Sequence, residues 1–259
     1  MAITLKSNQE IEKIRDAGRV VHKVLTQCGR MCRPGVTTRQ IDDEAGQMFA
    51  AEGARGLFKN YPTYRPGEGF PANLCISVNA CVVHGIADDT PINDGDIVGI
   101  DCGVELDGWC GDSAYTFTVG TVTTEICRLC QATQHVLKLA IENIRPGRYW
   151  SQVARLMQGY AEQAGYSVVR DFVGHGIGRT MHEEPKVPNF VGRDLLKNDI
   201  LLRKGMVLAI EPMLNLGEKE VDTLEDGWTV MTADGKPSAH YEHTVAVTNN
   251  GAEVLTDGR

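Results

Sequence analysis

Apolar residues at Ile11, Ile14, Gly18, Val21 and Leu25 recur at spacings of three and four, which predicts one face of a helix over about Asn8–Arg30. Ser7 is placed to cap it, with Glu10 completing a capping box, and Arg33-Pro34-Gly35 stops it. A second helix is predicted over about Thr38–Glu52, closed by Gly53. The same grammar returns later: a helix over Glu125–Ile144, then Arg145-Pro146-Gly147, a helix over Ser151–Gln163, and Gly165. At one constant offset Val24-Leu25 falls on Val136-Leu137, Ile41 on Val153 and Gly53 on Gly165. That order points to an internal duplication, roughly 8–120 and 121–250.

Strand patterns follow each helix pair. Val82-Val83-His84-Gly85-Ile86 is similar to Val173-Gly174-His175-Gly176-Ile177. The apolar run Ile97–Ile100 ends in Asp101, and the run Met206–Ile210 ends in Glu211. Two such halves packed about a pseudo-twofold axis would bring a carboxylate from each to that axis. The Pro-, Gly- and Tyr-rich stretch Asn60–Pro71 reads as a surface loop at the rim of a site. No linker separates the halves, so residues 1–259 are read as one α+β domain.

Composition removes several function classes. The 26 Lys and Arg against 34 Asp and Glu leave a net charge of −8, a poor match to a nucleic-acid binder. No apolar run is long enough to span a bilayer, and the first ten residues hold no signal-peptide core, so a cytoplasmic protein is expected. The 8 cysteines are then expected as reduced thiols, with Cys127-x-x-Cys130 packed inside a helix.

The chemistry lies in carboxylates and histidines. Asp107-Gly108 is a hairpin signal. With those two residues in the turn, Leu106 faces Trp109, Asp101 faces Ala114 and Gly103 faces Asp112. Asp101 and Asp112 become diagonal neighbours on one sheet face, where they need a cation or a shared proton. A single strand-end Asp usually points to water. The apolar run before Asp101 and the small residues Cys102, Gly103, Gly111 and Ser113 favour a bound ion instead. Glu211, at the end of a buried-looking strand, needs a partner. Glu242 shares a face with Thr244 and Ala246, which taken alone reads as an exposed polar face. His175 between Gly174 and Gly176, His182 before Glu183-Glu184-Pro185, and His84 in the matching motif of the first half are the candidate histidines. His22, His135, His240 and His243 read as packed or surface residues.

Taken in order, Ile100-Asp101-x-Gly103, Gly111-Asp112-x-Ala114, Gly174-His175-Gly176-Ile177-Gly178, His182-Glu183-Glu184-Pro185, Ile210-Glu211-Pro212 and Tyr241-Glu242-His243-Thr244 resemble the type I methionine aminopeptidases across essentially the whole chain. The resemblance implies the pita-bread fold: two pseudo-symmetric α/β halves with a central antiparallel sheet flanked by helices. It implies metal ligation by Asp101, Asp112, His175, Glu211 and Glu242, holding two divalent ions of Co, Mn, Fe or Zn. Four carboxylates against two divalent ions leave a neutral centre, and one imidazole among carboxylates suits such metals. Glu211 would take the proton of the attacking water, His182 would stabilise the oxyanion, and His84 would contact the scissile amide. The methionine pocket would comprise Tyr64, Phe70, Cys75, Met181 and Trp228, with His84 and His182 beside it. Met181 departs from the Phe common at that position, and His240 stands where many relatives have Gln. Asn79, Cys81 and Ser238 match positions that hold a monovalent cation in relatives.

The implied activity is removal of initiator methionine from nascent chains whose second residue is small. It carries transient proximity to the ribosome, no specific nucleic acid, no membrane and a monomeric state. The short His175–Glu211 segment leaves no room for the helical insert of type II enzymes, and no zinc-finger-like extension precedes the first helix, so the short bacterial form is expected. The alternatives are a peptidase of the prolidase or aminopeptidase P kind, which carries an extra N-terminal domain, and a non-catalytic binding protein, which would have lost ligands.

Overall fold

The structure, a computed structural model, describes residues 3–62 and 69–259. Four long helices carry the predicted pattern: α1 (Asn8–Met31), α2 (Thr38–Ala51), α3 (Thr124–Asn143) and α4 (Trp150–Gln163). Ser7 caps α1 in a complete capping box with Glu10, and Thr37 does the same for α2 with Gln40. Each close falls one residue past the helix cap, on Gly53 at φ 65° and Gly165 at φ 86°. A short fifth helix, α5, spans Arg193–Lys197.

Among the described residues every strand pair is antiparallel, and the strands form four hydrogen-bonded sheets. The long hairpin of Ile97–Leu106 and Trp109–Thr118 anchors one of them. Its register is the one the turn predicts, with Asp101 opposite Ala114 and Gly103 opposite Asp112. Asp107 (φ 50°) and Gly108 (φ 76°) both take positive φ, as a type I′ turn requires. A five-stranded sheet holds Gly174–Gly176, Val207–Ile210 and His243–Thr248, with Val207–Ile210 paired to both of the others.

The two sheets are sewn together beside the carboxylates. Glu242 N–H donates to the Ala114 carbonyl at 2.9 Å, Asp112 N–H to Thr244 Oγ1 at 3.1 Å and the Thr244 hydroxyl to the Asp112 carbonyl at 2.7 Å. Helices cover the outer layers. Leu208, Ile210, Val245 and Val247 pack with α3 and α4, while Val207 and Ala246 pack with Ile11 and Ile14 of α1. The His243–Thr248 strand is therefore buried on both faces, which removes the exposed polar face that Glu242 suggests when taken alone. Close approach of α1 depends on glycine: a Cβ on Gly111, beside Asp112, would lie 2.8 Å from the Gly18 nitrogen.

All 8 cysteines are free thiols, Cys130 buried and Cys127 half-buried on α3. Among the described residues no helix is long and apolar enough to cross a membrane.

Candidate metal centre

The hairpin delivers Asp101 and Asp112 to one cavity, the end of Val207–Ile210 delivers Glu211, and the residue before His243–Thr248 delivers Glu242. His175 comes from the short strand Gly174–Gly176. The His175 imidazole Nε2 lies 3.5 Å from Glu211 Oε1 and 3.9 Å from Asp112 Oδ2. Ligand atoms of Asp112, His175 and Glu242 all fall within 4.8 Å of one another. His175 Nδ1–H donates to the Gly176 carbonyl at 2.9 Å, which leaves the Nε2 lone pair facing the carboxylates.

This constellation is unstable as a metal-free protein interior. Asp101 Oδ1, Asp112 Oδ1 and Glu242 Oε1 are buried without a hydrogen-bond partner. Burial holds the Asp101, Glu211 and Glu242 carboxyls well above the usual carboxylate range, and neighbouring carboxylates push each further. Burial pushes Asp112 up to about 7. Burial, with the nearby His182, lowers His175 to about 4, so its imidazole is neutral and able to ligate. Orphaned acceptor oxygens around one neutral imidazole are the donor set that divalent cations take.

The same cavity, about 200 Å³, opens past the carboxylates to an apolar recess. Phe70, Cys75, Met181 and Trp228 line it, with His84 and His182. Tyr64 lies outside the described residues. Phe70 meets Trp228 edge to face at 5.2 Å between ring centroids. His182 lies against His175, with centroids 4.3 Å apart, and its Nδ1 is 2.8 Å from the Tyr61 hydroxyl. Burial lowers the His84 imidazole to about 4, and its ring meets Phe172 edge to face. His84 also holds φ 58°, a left-handed backbone that a non-glycine residue adopts at a cost.

Four further residues line the cavity beyond those the sequence points to: Phe58, Tyr61, Phe172 and Val173. Tyr61 falls in the rim loop, so its aromatic character is the available signal. Phe172 and Val173 immediately precede Gly174-His175. His243 is half-buried, with Nδ1 2.8 Å from Thr256 Oγ1. His240 is buried behind Glu242. Asn79 and Ser238 meet through a Ser238 N–H to Asn79 carbonyl bond of 3.0 Å, and the buried Cys81 thiol donates to the Val83 carbonyl.

Orphaned oxygens, a neutral imidazole and an adjoining apolar recess define a metallopeptidase site. The chain belongs to metallopeptidase family M24, whose match covers residues 12–249. It is 47% identical to a methionine aminopeptidase of Clostridium perfringens, over 98% of this chain and 98% of that protein. The crystal structure of methionine aminopeptidase from Rickettsia prowazekii superposes with a TM-score of 0.91 at 37% identity, over 98% of this chain and 100% of that one. Prolidase from Pyrococcus furiosus shares the pita-bread fold alone: TM-score 0.77, 22% identity, 97% of this chain but 65% of that one.

Proposed function

We propose that this chain removes N-terminal methionine from nascent polypeptides and peptides whose second residue is small, using two divalent ions held by Asp101, Asp112, His175, Glu211 and Glu242. The observation that carries this reading is the set of buried, unpartnered carboxylate oxygens beside an apolar recess bounded by Met181 and Trp228. A polarisable, flexible Met181 suits a thioether side chain. When bound, the ions, of Co, Mn, Fe or Zn, would supply Lewis acidity and lower the pKa of a water. Glu211 accepts the proton of the attacking water. His182 donates to the carbonyl oxygen as negative charge develops there. His84 contacts the scissile amide and places the leaving amine.

A monovalent cation at Asn79, Cys81 and Ser238 belongs to the same reading, as do a single catalytic domain built from repeats 8–120 and 121–250, a cytoplasmic monomer and transient proximity to the ribosome. The repeats are supported by the matching Arg-Pro-Gly turns, whose Gly35 and Gly147 hold φ 88° and 84°. The test is release of methionine from Met-Ala-Ser by metal-free protein titrated with Mn, Fe, Co and Zn, with Ala-Pro peptides alongside. Metal-dependent methionine release is expected. Cleavage of Xaa-Pro peptides alone would move the chain to prolidase chemistry, and no hydrolysis with any metal would make it a binding protein.

A further inference from the structure

Glu242 is held by its backbone and not by its carboxylate. Its N–H donates to the Ala114 carbonyl, and its own carbonyl accepts from the Ser113 hydroxyl at 2.5 Å. Among the described residues no hydrogen bond reaches the carboxylate, and Oε1 is buried without a partner. The side chain is 3% exposed, so packing confines it, but no hydrogen bond sets which oxygen faces an ion.

A second unpartnered group stands beside it. His240 ends the strand Ser238–His240 and is only 6% exposed. Its backbone is fixed twice to the hairpin that carries Asp112: His240 N–H donates to Thr116 Oγ1 at 3.0 Å, and the Thr116 hydroxyl donates to the His240 carbonyl at 2.8 Å. The imidazole Nε2 is buried, has no hydrogen-bond partner, and lies 4.0 Å from Glu242 Oε2. Leaving a buried polar atom unpaired costs about 1–3 kcal/mol. A distance of 4.0 Å is too long for a hydrogen bond, but a carboxylate turn of about 1 Å brings it to the usual N–H···O separation. Both orphans are then relieved together, His240 by the carboxylate and Glu242 Oε1 by an ion.

We propose that His240 is a positioning residue of the metal centre, its Nε2–H holding Glu242 Oε2 so that Oε1 is presented to the ions. The two histidines then act through opposite tautomers. His175 is protonated on Nδ1 by its bond to Gly176 and offers a lone pair, whereas His240 offers a proton and does not touch the ions. Groups that hydrogen-bond a metal ligand orient it and commonly change affinity by about 10–100-fold when removed. The inference rests on the two-ion reading of the site.

The test is calorimetric titration of metal-free protein with Mn²⁺, comparing wild type with His240→Leu and His240→Gln. Thermal unfolding of each metal-free variant checks that it folds. His240→Leu is expected to bind Mn²⁺ about 10–100-fold more weakly. His240→Gln, which keeps an N–H donor, is expected to restore most of the affinity. In a Glu242→Gln background the Leu substitution is expected to add nothing, because the coupling it removes is already gone. Unchanged affinity in a folded His240→Leu variant overturns the proposal. So does X-ray absorption of the Mn-loaded wild type that finds a second imidazole which disappears in His240→Leu, since His240 would then be a ligand. Failure of the wild type to bind Mn²⁺ overturns the two-ion reading itself and is told apart by that first titration.

Discussion

Asp101, Asp112, Glu211 and Glu242 sit within strands or at their ends, whereas Tyr61, Phe70, Phe172, Met181 and Trp228 stand on the segments between strands. Both groups line one cavity. The carboxylates are placed by register: Asp112 cannot move without breaking the Gly103 pairing and the two Thr244 bonds. Apart from Cys75, which stands on a strand opposite Asp101, the recess is placed by packing of side chains from separate turns, such as Phe70 against Trp228. The candidate ligand set, which tolerates little positional error, is thus built on ladders, and most of the apolar recess is built on loops. Substitutions in the first group should abolish turnover, and those in the second should grade it.

Asp112→Asn is the sharpest probe of the ladder side. It keeps the shape of the side chain and removes the charge that balances a cation. The expected result is loss of metal binding and a fall in kcat on the order of 10³-fold or more, measured as methionine release with metal in excess. Chelation of the wild type should bring its rate to the same floor. Retention of more than a tenth of the activity would break the comparison.

His182→Ala comes next, with kcat lower by about 10²–10³-fold and metal content unchanged. Its ring lies against His175, so metal content must be measured with the rate. Loss of metal together with rate would place His182 on the ligand side.

The helix caps, the glycine closes and the hairpin register are legible in the sequence because each follows from local chemistry: Ser7 with Glu10, Gly53, Asp107-Gly108. The turn at Asp107-Gly108 is enough to place Asp101 and Asp112 on one face. The loop residues are less legible for the same physical reason that sets them apart. Phe58, Tyr61 and Phe172 obey no period of two or of 3.6, and nothing local says that their rings point to one space. Glu242 is misread when taken alone, since it shares a face with Thr244 while both faces of the strand that follows it are covered, one by α1 and one by α3 and α4. His240 carries no local signal either. Its meaning depends on the bonds to Thr116 that set it behind Glu242.

The ladder side also carries a stability signature. Folded Asp112 is raised to about 7, with Asp101, Glu211 and Glu242 raised well above their ordinary values. Between an ordinary carboxylate value and these, the folded chain binds more protons than the unfolded one, so stability falls as pH rises. His84, His175 and His243, lowered to about 4, and His240, lowered to about 3, act in the opposite direction below pH 6.5. Above that pH the carboxylates dominate until the ordinary thiol range is reached, where buried cysteines raised by desolvation, such as Cys28 and Cys110, add to the same fall. Metal-free protein is expected to lose stability from pH 6.5 upward, at about 1.4 kcal/mol per pH unit for each carboxylate still protonated in the fold. Saturating Mn²⁺ should remove the slope, because the ions bind the deprotonated groups. A flat melting temperature in metal-free protein would mean that the buried carboxylates are ionised without ions.

On the loop side, Met181→Ala removes a wall that is 7% exposed. Lost apolar contact of this size corresponds to about tenfold in kcat/KM for methionine substrates, carried mostly by KM. Competition between Met and norleucine peptides reports whether the sulfur contact or the volume matters. A fall in kcat with KM unchanged would show that the recess steers the reacting atoms and would erase the division drawn above.

Tyr61→Phe has the smallest expected effect and joins the two regions. The ring stays, so the recess keeps its wall, and only the hydroxyl against His182 Nδ1 is lost. With Tyr61 donating, the His182 proton resides on Nε2, the nitrogen left to serve the substrate. Loss of one such bond corresponds to about 0.5–1.5 kcal/mol, or roughly 2–10-fold. If the bond orients His182 for the developing oxyanion, the loss appears in kcat while KM holds. If Tyr61 is only a wall, Tyr61→Phe leaves both constants unchanged and Tyr61→Ala raises KM. A kcat effect from the hydroxyl alone would show that a loop residue can set the geometry of a catalytic one, the point at which the separation of ladder and loop ends.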